Sequence, residues 1–447
     1  MISVAVIEFI QAHLQDDPKR LLLSAERYSD IDIRFAAQQI EARQQIRDKL
    51  PLWYARPELI FPPSVSCQQA SSQETARYKG RFIREGERII DGTGGLGVDS
   101  VAFAAKASKV TYIEQNELLC RMAEHNFKSL GWDNIEVLHG SSIEMLQCPT
   151  QHPQHPQHQA PHRLPHQAPQ PSPQLPAADL LYLDPSRRGV NQKRLFALDD
   201  CEPNILKFKE MLLSRAPRVL VKISPMADIR HTLRLLPETT EVHIVSVKNE
   251  CKELLFLLER PAKRQLATGD VPIYATHIHA NGKEECFSFT LSEEEAASPL
   301  FDFQLSIFNF QFSIFNSPLP QGYLYEPNAS ILKAGAFKLP AHRYGLQKLH
   351  PHTHLYWAPC LNDSFPGRIF HIKDVVDFNK RTINTLCKTI PQANIAVRNF
   401  CMEAQELQKR LKIKEGGSVY LFGVTLSNRG YALIVGAKES SPNRVSE

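Results

Sequence analysis

From Arg81 onward the chain alternates between short apolar runs and amphipathic stretches, and few architectures accept that pattern. The runs RIID (88–91), KVTYIE (109–114), IEVLH (135–139), DLLYLD (179–184), RVLVKIS (218–224), EVHIVSV (241–247) and ELLFLLE (253–259) have strand length and strand composition. Between them GVDSVAFAAKA, ELLCRMAEHNFKSLG and EPNILKFKEMLLSRA have helical periodicity. Strands alternating with helices predict a largely parallel sheet covered on both faces.

The flanking segments follow other rules. Residues 1–65 read as a helical domain. SDIDIRFAAQQIEARQQIRDKLP predicts a helix capped by Ser29 or Asp30, with Ile33, Ala36, Ala37, Ile40, Ile46 and Leu50 on its apolar face and Pro51 ending it. The α/β pattern occupies 66–260, interrupted at 148–177 by nine Pro, seven Gln and five His with no acid and no aromatic. Such a stretch cannot pack a core and is expected to be disordered. A small β-rich segment spans 261–320 and contains the near-duplicate QLSIFNF/QFSIFNS at 304–317, read as an insertion. A further α/β domain occupies 321–440, where GYLYEP, THLYWAP, GRIFHI and SVYLFGVTL read as strands and EAQELQKRLKI as a helix.

Charge separates these regions. The whole chain is only +4, yet residues 321–447 hold 17 Lys and Arg against 9 Asp and Glu. That end is compatible with a nucleic-acid partner, and equally with a solvated basic face. The nine cysteines are scattered and form no CxxC, so neither a zinc site nor a disulfide framework is expected, and no metal. The start, MISVAVIEFIQAHLQDDPKR, lacks a basic leader, and no apolar run reaches the ~18–20 residues of a membrane span. A cytoplasmic location is expected.

The most specific motif is RIIDGTGGLGVDS. A strand ends on Asp91, and Gly92, Thr93, Gly94, Gly95 and Gly97 follow before a helix. Glycines let the backbone turn and approach a ligand closely. The next strand ends on Glu114, which can accept hydrogen bonds from both hydroxyls of a ribose. An acid before the first glycine repels a pyrophosphate and suits a cation. Charge complementarity therefore favours S-adenosylmethionine (SAM), a sulfonium carrying an ammonium and no phosphate, over NAD.

These residues resemble the class I SAM-dependent methyltransferases. The resemblance implies a Rossmann-like sheet, with DGTGGLG facing the methionine end of SAM, Glu114 on the ribose and Gln115 beside the adenine. Where this fold commonly carries a carboxylate for the adenine amino group, the sequence has Ser141 and Ser142. The fourth strand of that fold ends at the transferred methyl, and DPSRR, with Asp184, Pro185, Ser186, Arg187 and Arg188, resembles the [DN]-P-P-x motif of nucleic-acid methyltransferases. Asp184 can orient an amine and the Pro185 carbonyl can accept a second hydrogen, while Arg187 can stack on a base. The competing reading of Asp184 is a strand-end turn residue. The loop VKISPMADI holds Ser224 where pyrimidine-C5 enzymes need a cysteine, so a nitrogen acceptor is preferred. Lys222 lines the same loop or is a simple strand-end charge.

The wider pattern resembles a little-characterised bacterial family of SAM-dependent methyltransferases with an N-terminal helical domain, a small β-rich (ferredoxin-like) segment and a C-terminal THUMP-like domain. SSQETARYK, LDPSRR, VKNECKELL, YLYEPNASILKAGAF, KLHPHTHLYWA, FPGRIF and ANIAVRNF carry that likeness. It implies that Ser72, Glu74, Thr75 and Lys79 lie near the cofactor, against the plainer reading of a capped helix start. It also implies an RNA substrate, because THUMP domains bind RNA. Candidate contacts are Arg343, Lys348, Arg398, Lys409, Arg410, Lys412 and Lys414, with Tyr325, Tyr344 and Trp357 as possible stacking residues. The leading expectation is methylation of a base nitrogen in structured RNA, tRNA or rRNA. Alternatives are a small-molecule methyltransferase and a non-catalytic SAM- or RNA-binding protein.

Overall fold

The computed structural model describes residues 3–147, 175–187, 201–260, 266–298, 322–427 and 430–439. The insertion up to residue 174, the 304–317 duplicate and Arg188 lie outside the described residues. The chain divides into two compact units, Met1–Thr240 with Leu254–Gln265, and Glu241–Glu253 with Leu266–Glu447.

The first unit opens with helices. The helix Ile33–Ile46 is capped by Asp32, whose side chain accepts the Phe35 N–H, and not by Ser29 or Asp30. Asp32 directly precedes the first buried residue, so it alone has the spacing to reach the free N–H groups of the first turn. The apolar face expected from the sequence is buried throughout. Pro51 does not simply end this helix. It starts the short helix Pro51–Tyr54, where its missing N–H leaves no bond unmade. Ala42, Ile46, Leu50 and Trp53 pack in one cluster with Leu96 and Val98, so these helices brace the glycine-rich loop.

The strands of this region are β1 (Arg88–Asp91), β2 (Lys109–Glu114), β3 (Ile135–His139), β4 (Leu180–Leu183), the short pair β5 (Ser186–Arg187) and β6 (Cys201–Glu202), and β7 (Arg218–Ile223). They are followed by β8 (Thr239–Val247) and β9 (Glu250–Glu259). The order through the first unit is β9-β7-β4-β1-β2-β3. β7, β4, β1, β2 and β3 are parallel, and β9 runs antiparallel to β7. All four residues of β4 are buried, as a central parallel strand requires. From β1 the chain winds outward through β2 and β3, and then resumes on the other side with β4. The carboxyl ends of β1 and β4 therefore flank the switch point where open α/β sheets bind ligands.

In the second unit β8 pairs parallel with β10 (Ile273–Ile278), which pairs antiparallel with β11 (Glu284–Phe289). The strands predicted within 261–320 thus extend a sheet from β8. A seven-stranded sheet follows, built of β12 (Tyr323–Pro327), β13 (Gln347–His350), β14 (Thr353–Ala358), β15 (Gly367–Asp377), β16 (Asn394–Arg398), β17 (Val419–Leu426) and β18 (Gly430–Lys438). Its order is β13-β14-β12-β15-β18-β17-β16. The helices Lys380–Thr389 and Ala404–Leu411 bury Ile383, Leu386, Leu407 and Leu411 against Leu421, Leu433 and Val435 of this sheet. Among the described residues no helix is long and apolar enough to cross a membrane.

Candidate active site

The glycine loop is held by the strands on either side of it. The Gly92 N–H donates to the Tyr182 carbonyl on β4 at 3.0 Å, and the Gly94 N–H donates to Ile113 on β2 at 2.9 Å. Gly95 and Gly97 have left-handed backbone, at φ +53° and +84°. Gly94 is required for a different reason. A Cβ there would lie 2.2 Å from the Tyr112 ring. That ring cannot swing aside easily, because its hydroxyl donates to the Gly95 carbonyl at 2.6 Å. Gly94→Ala is therefore expected to destabilise the protein by about 1–3 kcal/mol or more through overpacking. Urea denaturation checks this, and an unchanged midpoint would contradict the close packing.

Asp91 is buried, accepting the Ser100 hydroxyl at 2.6 Å and the Thr93 N–H at 3.2 Å. Burial pushes its carboxyl up to about 7, against the pull of the Ser100 hydrogen bond. Glu114, half-buried at the end of β2, accepts Gly95 N–H at 3.0 Å and Asn116 N–H at 2.8 Å on separate oxygens. Each oxygen keeps a second acceptor direction. Gln115 is exposed beside it. Ser142 is buried, and its Cβ and hydroxyl oxygen would lie 3.3 Å from a Cβ built on Gly92; Ser141 accepts the Glu144 N–H at 3.4 Å.

The raised Asp91 value has a consequence for stability. The unfolded chain releases this proton near pH ~4, whereas the folded protein keeps it to about 7. Folding therefore takes up a proton in that window, and the contribution of Asp91 falls as pH rises from about 4 to about 7. Thermal melts across this range are expected to lose that slope in Asp91→Asn, and an unaltered slope would count against a proton-bearing Asp91.

Asp184 follows β4, across the switch point from Asp91. Its backbone N–H donates to the Thr93 hydroxyl at 2.7 Å, so the glycine loop and the DPSR segment are directly joined. Lys222 at the end of β7 donates to the Asp184 carboxylate at 2.5 Å. Pro185 is half-buried and Ser186 exposed, and Ser186–Arg187 form a two-residue antiparallel pairing with Cys201–Glu202. Ser224, in the loop after β7, accepts the Met226 N–H at 3.3 Å.

Lys79 pairs with the first turn of the helix that follows the glycine loop. It is fully buried, with its ammonium 3.1 Å from Asp99 and 3.0 Å from the Ser71 hydroxyl. Ser71 and Tyr182 also donate to Asp99, at 2.8 and 2.9 Å. Burial alone would raise the Asp99 carboxyl, but Lys79, with Lys222 beyond it, holds it below the usual carboxylate range. This network ties the helix Gln73–Lys79 to the helix that follows the glycine loop and to β4. Thr75 is also buried; Ser72 caps its helix by accepting the Thr75 N–H, which is the plainer of the two sequence readings. Sequence reasoning missed Asp99, Ser100, Tyr182 and the Lys222 contact. The signal for the first two was the acid and hydroxyl in the turn after the glycines, VDS.

In the second unit the expected basic contacts separate. Arg398 and Arg368 both donate to Glu326, a carboxylate only 1% exposed. Arg343 donates to the Ser288 carbonyl at 2.5 Å and pairs with Glu293. Lys348 is buried, donating to the Pro351 carbonyl at 2.6 Å, and burial lowers its ammonium to about 8. Tyr325 and Trp357 are core residues. Lys409, Arg410, Lys412 and Lys414 remain exposed.

Comparison with known proteins follows the same division. A ferredoxin-like domain model matches residues 323–366, downstream of the 261–320 segment, and a THUMP domain-like model matches residues 367–438. No curated protein matches the chain. A solved structure from Porphyromonas gingivalis W83, described as a "putative methyltransferase", is 32% identical, covers 98% of this chain and 98% of its own, and superposes with a TM-score of 0.79. An rRNA methylase from Streptococcus thermophilus shares 13% identity over 42% of this chain and 95% of its own, with a TM-score of 0.28. Trm5b from Pyrococcus abyssi shares 14% over 45% and 50%, with a TM-score of 0.27. At those scores neither of the last two bears on function. The P. gingivalis likeness, running nearly end to end over both units, shows that this chain belongs to that protein's family, a Rossmann-like methyltransferase sheet combined with ferredoxin-like and THUMP-like domains.

Proposed function

We propose that the protein is a SAM-dependent methyltransferase that methylates a base nitrogen in structured RNA, tRNA or rRNA. The observation that carries this reading is the 2.7 Å hydrogen bond from the Asp184 N–H to Thr93, which joins a ligand-binding loop to an acidic strand end at the switch point. The residues fit the cofactor. The loop 91–97 contains an acid and no lysine or arginine to meet a pyrophosphate, and Asp91 is a buried carboxyl whose ionised form a cation would favour. Asp91, the glycine loop and Glu114 would hold it, with Glu114 on the ribose hydroxyls. When bound, SAM supplies an electrophilic methyl group.

The remaining work falls to the chain. Asp184 accepts a hydrogen of the acceptor amine and orients its lone pair, while Lys222 fixes the carboxylate. The Pro185 carbonyl accepts a second hydrogen. Methyl transfer of this kind is accelerated mainly by positioning. The RNA part of the reading rests on the THUMP-like region, on the basic balance of residues 321–447 and on the likeness of DPSR to nucleic-acid methyltransferase motifs.

The test is calorimetric titration with SAM, followed by incubation with labelled SAM and total RNA from a bacterial strain lacking the protein. Saturable binding with label in one RNA size class is the expected result. Binding without labelled RNA would redirect the search to another acceptor, and absence of binding would overturn the reading of the glycine loop.

A further inference from the structure

The helix Lys380–Thr389, KRTINTLCKT, contains three cations and no acid. One face buries Ile383 and Leu386 in the core of the seven-stranded sheet. On the outer face Lys380, Arg381, Asn384, Thr385 and Lys388 line a shallow hollow of about 610 Å³. The lining contains neither an acidic nor an apolar side chain. Lys380, Arg381, Asn384 and Lys388 are exposed. A surface of this composition gains little from a protein partner's apolar contacts, since interface cores are depleted of charge. It suits a chain of regularly spaced anions.

We propose that this helix face is the principal docking surface for the RNA phosphodiester backbone. At 1.5 Å per residue, Lys380 and Lys388 are separated by about 12 Å along the helix axis. Cations at both ends of the hollow therefore meet separate phosphates, and Asn384 and Thr385 between them offer neutral hydrogen-bonding groups to sugar hydroxyls. The helix Ala404–Leu411, packed beside it through Leu407 and Leu411, is the weaker candidate. Its Lys409 and Arg410, with Lys412 just beyond, are flanked by Glu403 and Glu406 before them and Glu415 after, and the Arg410 guanidinium lies over the Phe378 ring at 5.3 Å. Sequence reasoning offered Lys409 and Arg410 of that second helix, with Lys412, among its candidate contacts and did not single out the first. In the first, Lys380 and Arg381 are consecutive and helical spacing brings Lys388 to the same hollow.

This inference rests on the RNA reading above, and the experiment separates the two. The full-length protein is titrated with fluorescein-labelled bulk bacterial tRNA, reading anisotropy at several salt concentrations. A Lys380→Gln/Arg381→Gln/Lys388→Gln variant is expected to bind at least tenfold more weakly, and the slope of log affinity against log salt is expected to fall by about 2–3 for three lost phosphate contacts. The Lys409→Gln/Arg410→Gln/Lys412→Gln variant is expected to lose less on both counts. SAM titration of each variant, unchanged from wild type, shows that the fold is intact. If wild type binds tRNA and the first variant matches it in affinity and slope, the docking surface is wrong while the RNA reading survives. If wild type binds no RNA, both fail. Equal competition by polyglutamate would overturn the assignment to RNA.

Discussion

Replacing Lys79 with methionine is expected to cost about 3–5 kcal/mol of stability, the range found when one member of a buried ion pair is removed. Methionine approximates the volume of the lysine stem, so the loss is electrostatic and not a cavity effect. It leaves the Asp99 carboxylate buried, with the Ser71 and Tyr182 hydroxyls as donors and Lys222 more remote. The pH dependence identifies the cause. In wild type the Asp99 carboxyl is held below its unfolded value, so its stabilising contribution is present above pH ~4 and disappears as pH falls through the lower folded value. The deficit of Lys79→Met is accordingly largest near neutrality and shrinks in acid. Urea denaturation at pH 7 and pH 4 measures it. Lys79→Met/Asp99→Asn is expected to recover much of the loss, because no buried charge is left unpaired. A single-variant loss below about 1 kcal/mol would mean that Asp99 has enough support without the ammonium.

Asp184→Asn is expected to lower the proposed methyl transfer by about 10²–10⁴-fold, the typical contribution of a positioned acid–base group. The amide keeps the shape and can still accept a hydrogen bond through its oxygen. It loses the negative charge that pairs with Lys222 and that balances positive charge on an amine as the new bond forms. SAM affinity should stay within about twofold, since the Thr93 hydroxyl bonds to the Asp184 backbone, which the substitution leaves alone. Single-turnover methylation and calorimetry read the two effects separately. Lys222→Met gives the companion measurement, with the carboxylate present but unanchored, and a smaller loss than Asp184→Asn. Wild-type turnover by Asp184→Asn would remove Asp184 from the site.

Much of this architecture is legible in the sequence because it depends on local periodicity. RIID, KVTYIE and IEVLH become β1, β2 and β3 over the same residues. The methyltransferase fold and the THUMP-like end are likewise readable from motifs. What sequence could not supply is pairing across large separations. Lys222 and Asp184 are 38 residues apart, and Tyr182 reaches Asp99 across 83. Their contact follows from β4 lying between β1 and β7, which no local pattern specifies. Charge was the poorest guide. Lys348 read as an RNA contact and Lys79 as a residue near the cofactor, and both are buried because the surrounding fold satisfies their ammonium groups. Arg398 read as a nucleic-acid contact, yet its guanidinium holds a buried carboxylate.

The hydrogen bond between Thr93 and Asp184 is a direct physical link between the two halves of the crevice. A ligand that favoured the loop arrangement in which this bond is made would favour the matching arrangement of the DPSR segment. By linkage, whatever factor the first ligand imposes on the affinity of the second is returned in full when the order is reversed. Synergy between the proposed cofactor and acceptor would then need no moving domain. It can reside in a single side-chain oxygen receiving a main-chain proton, and a titration of either ligand in the presence of the other would carry its signature.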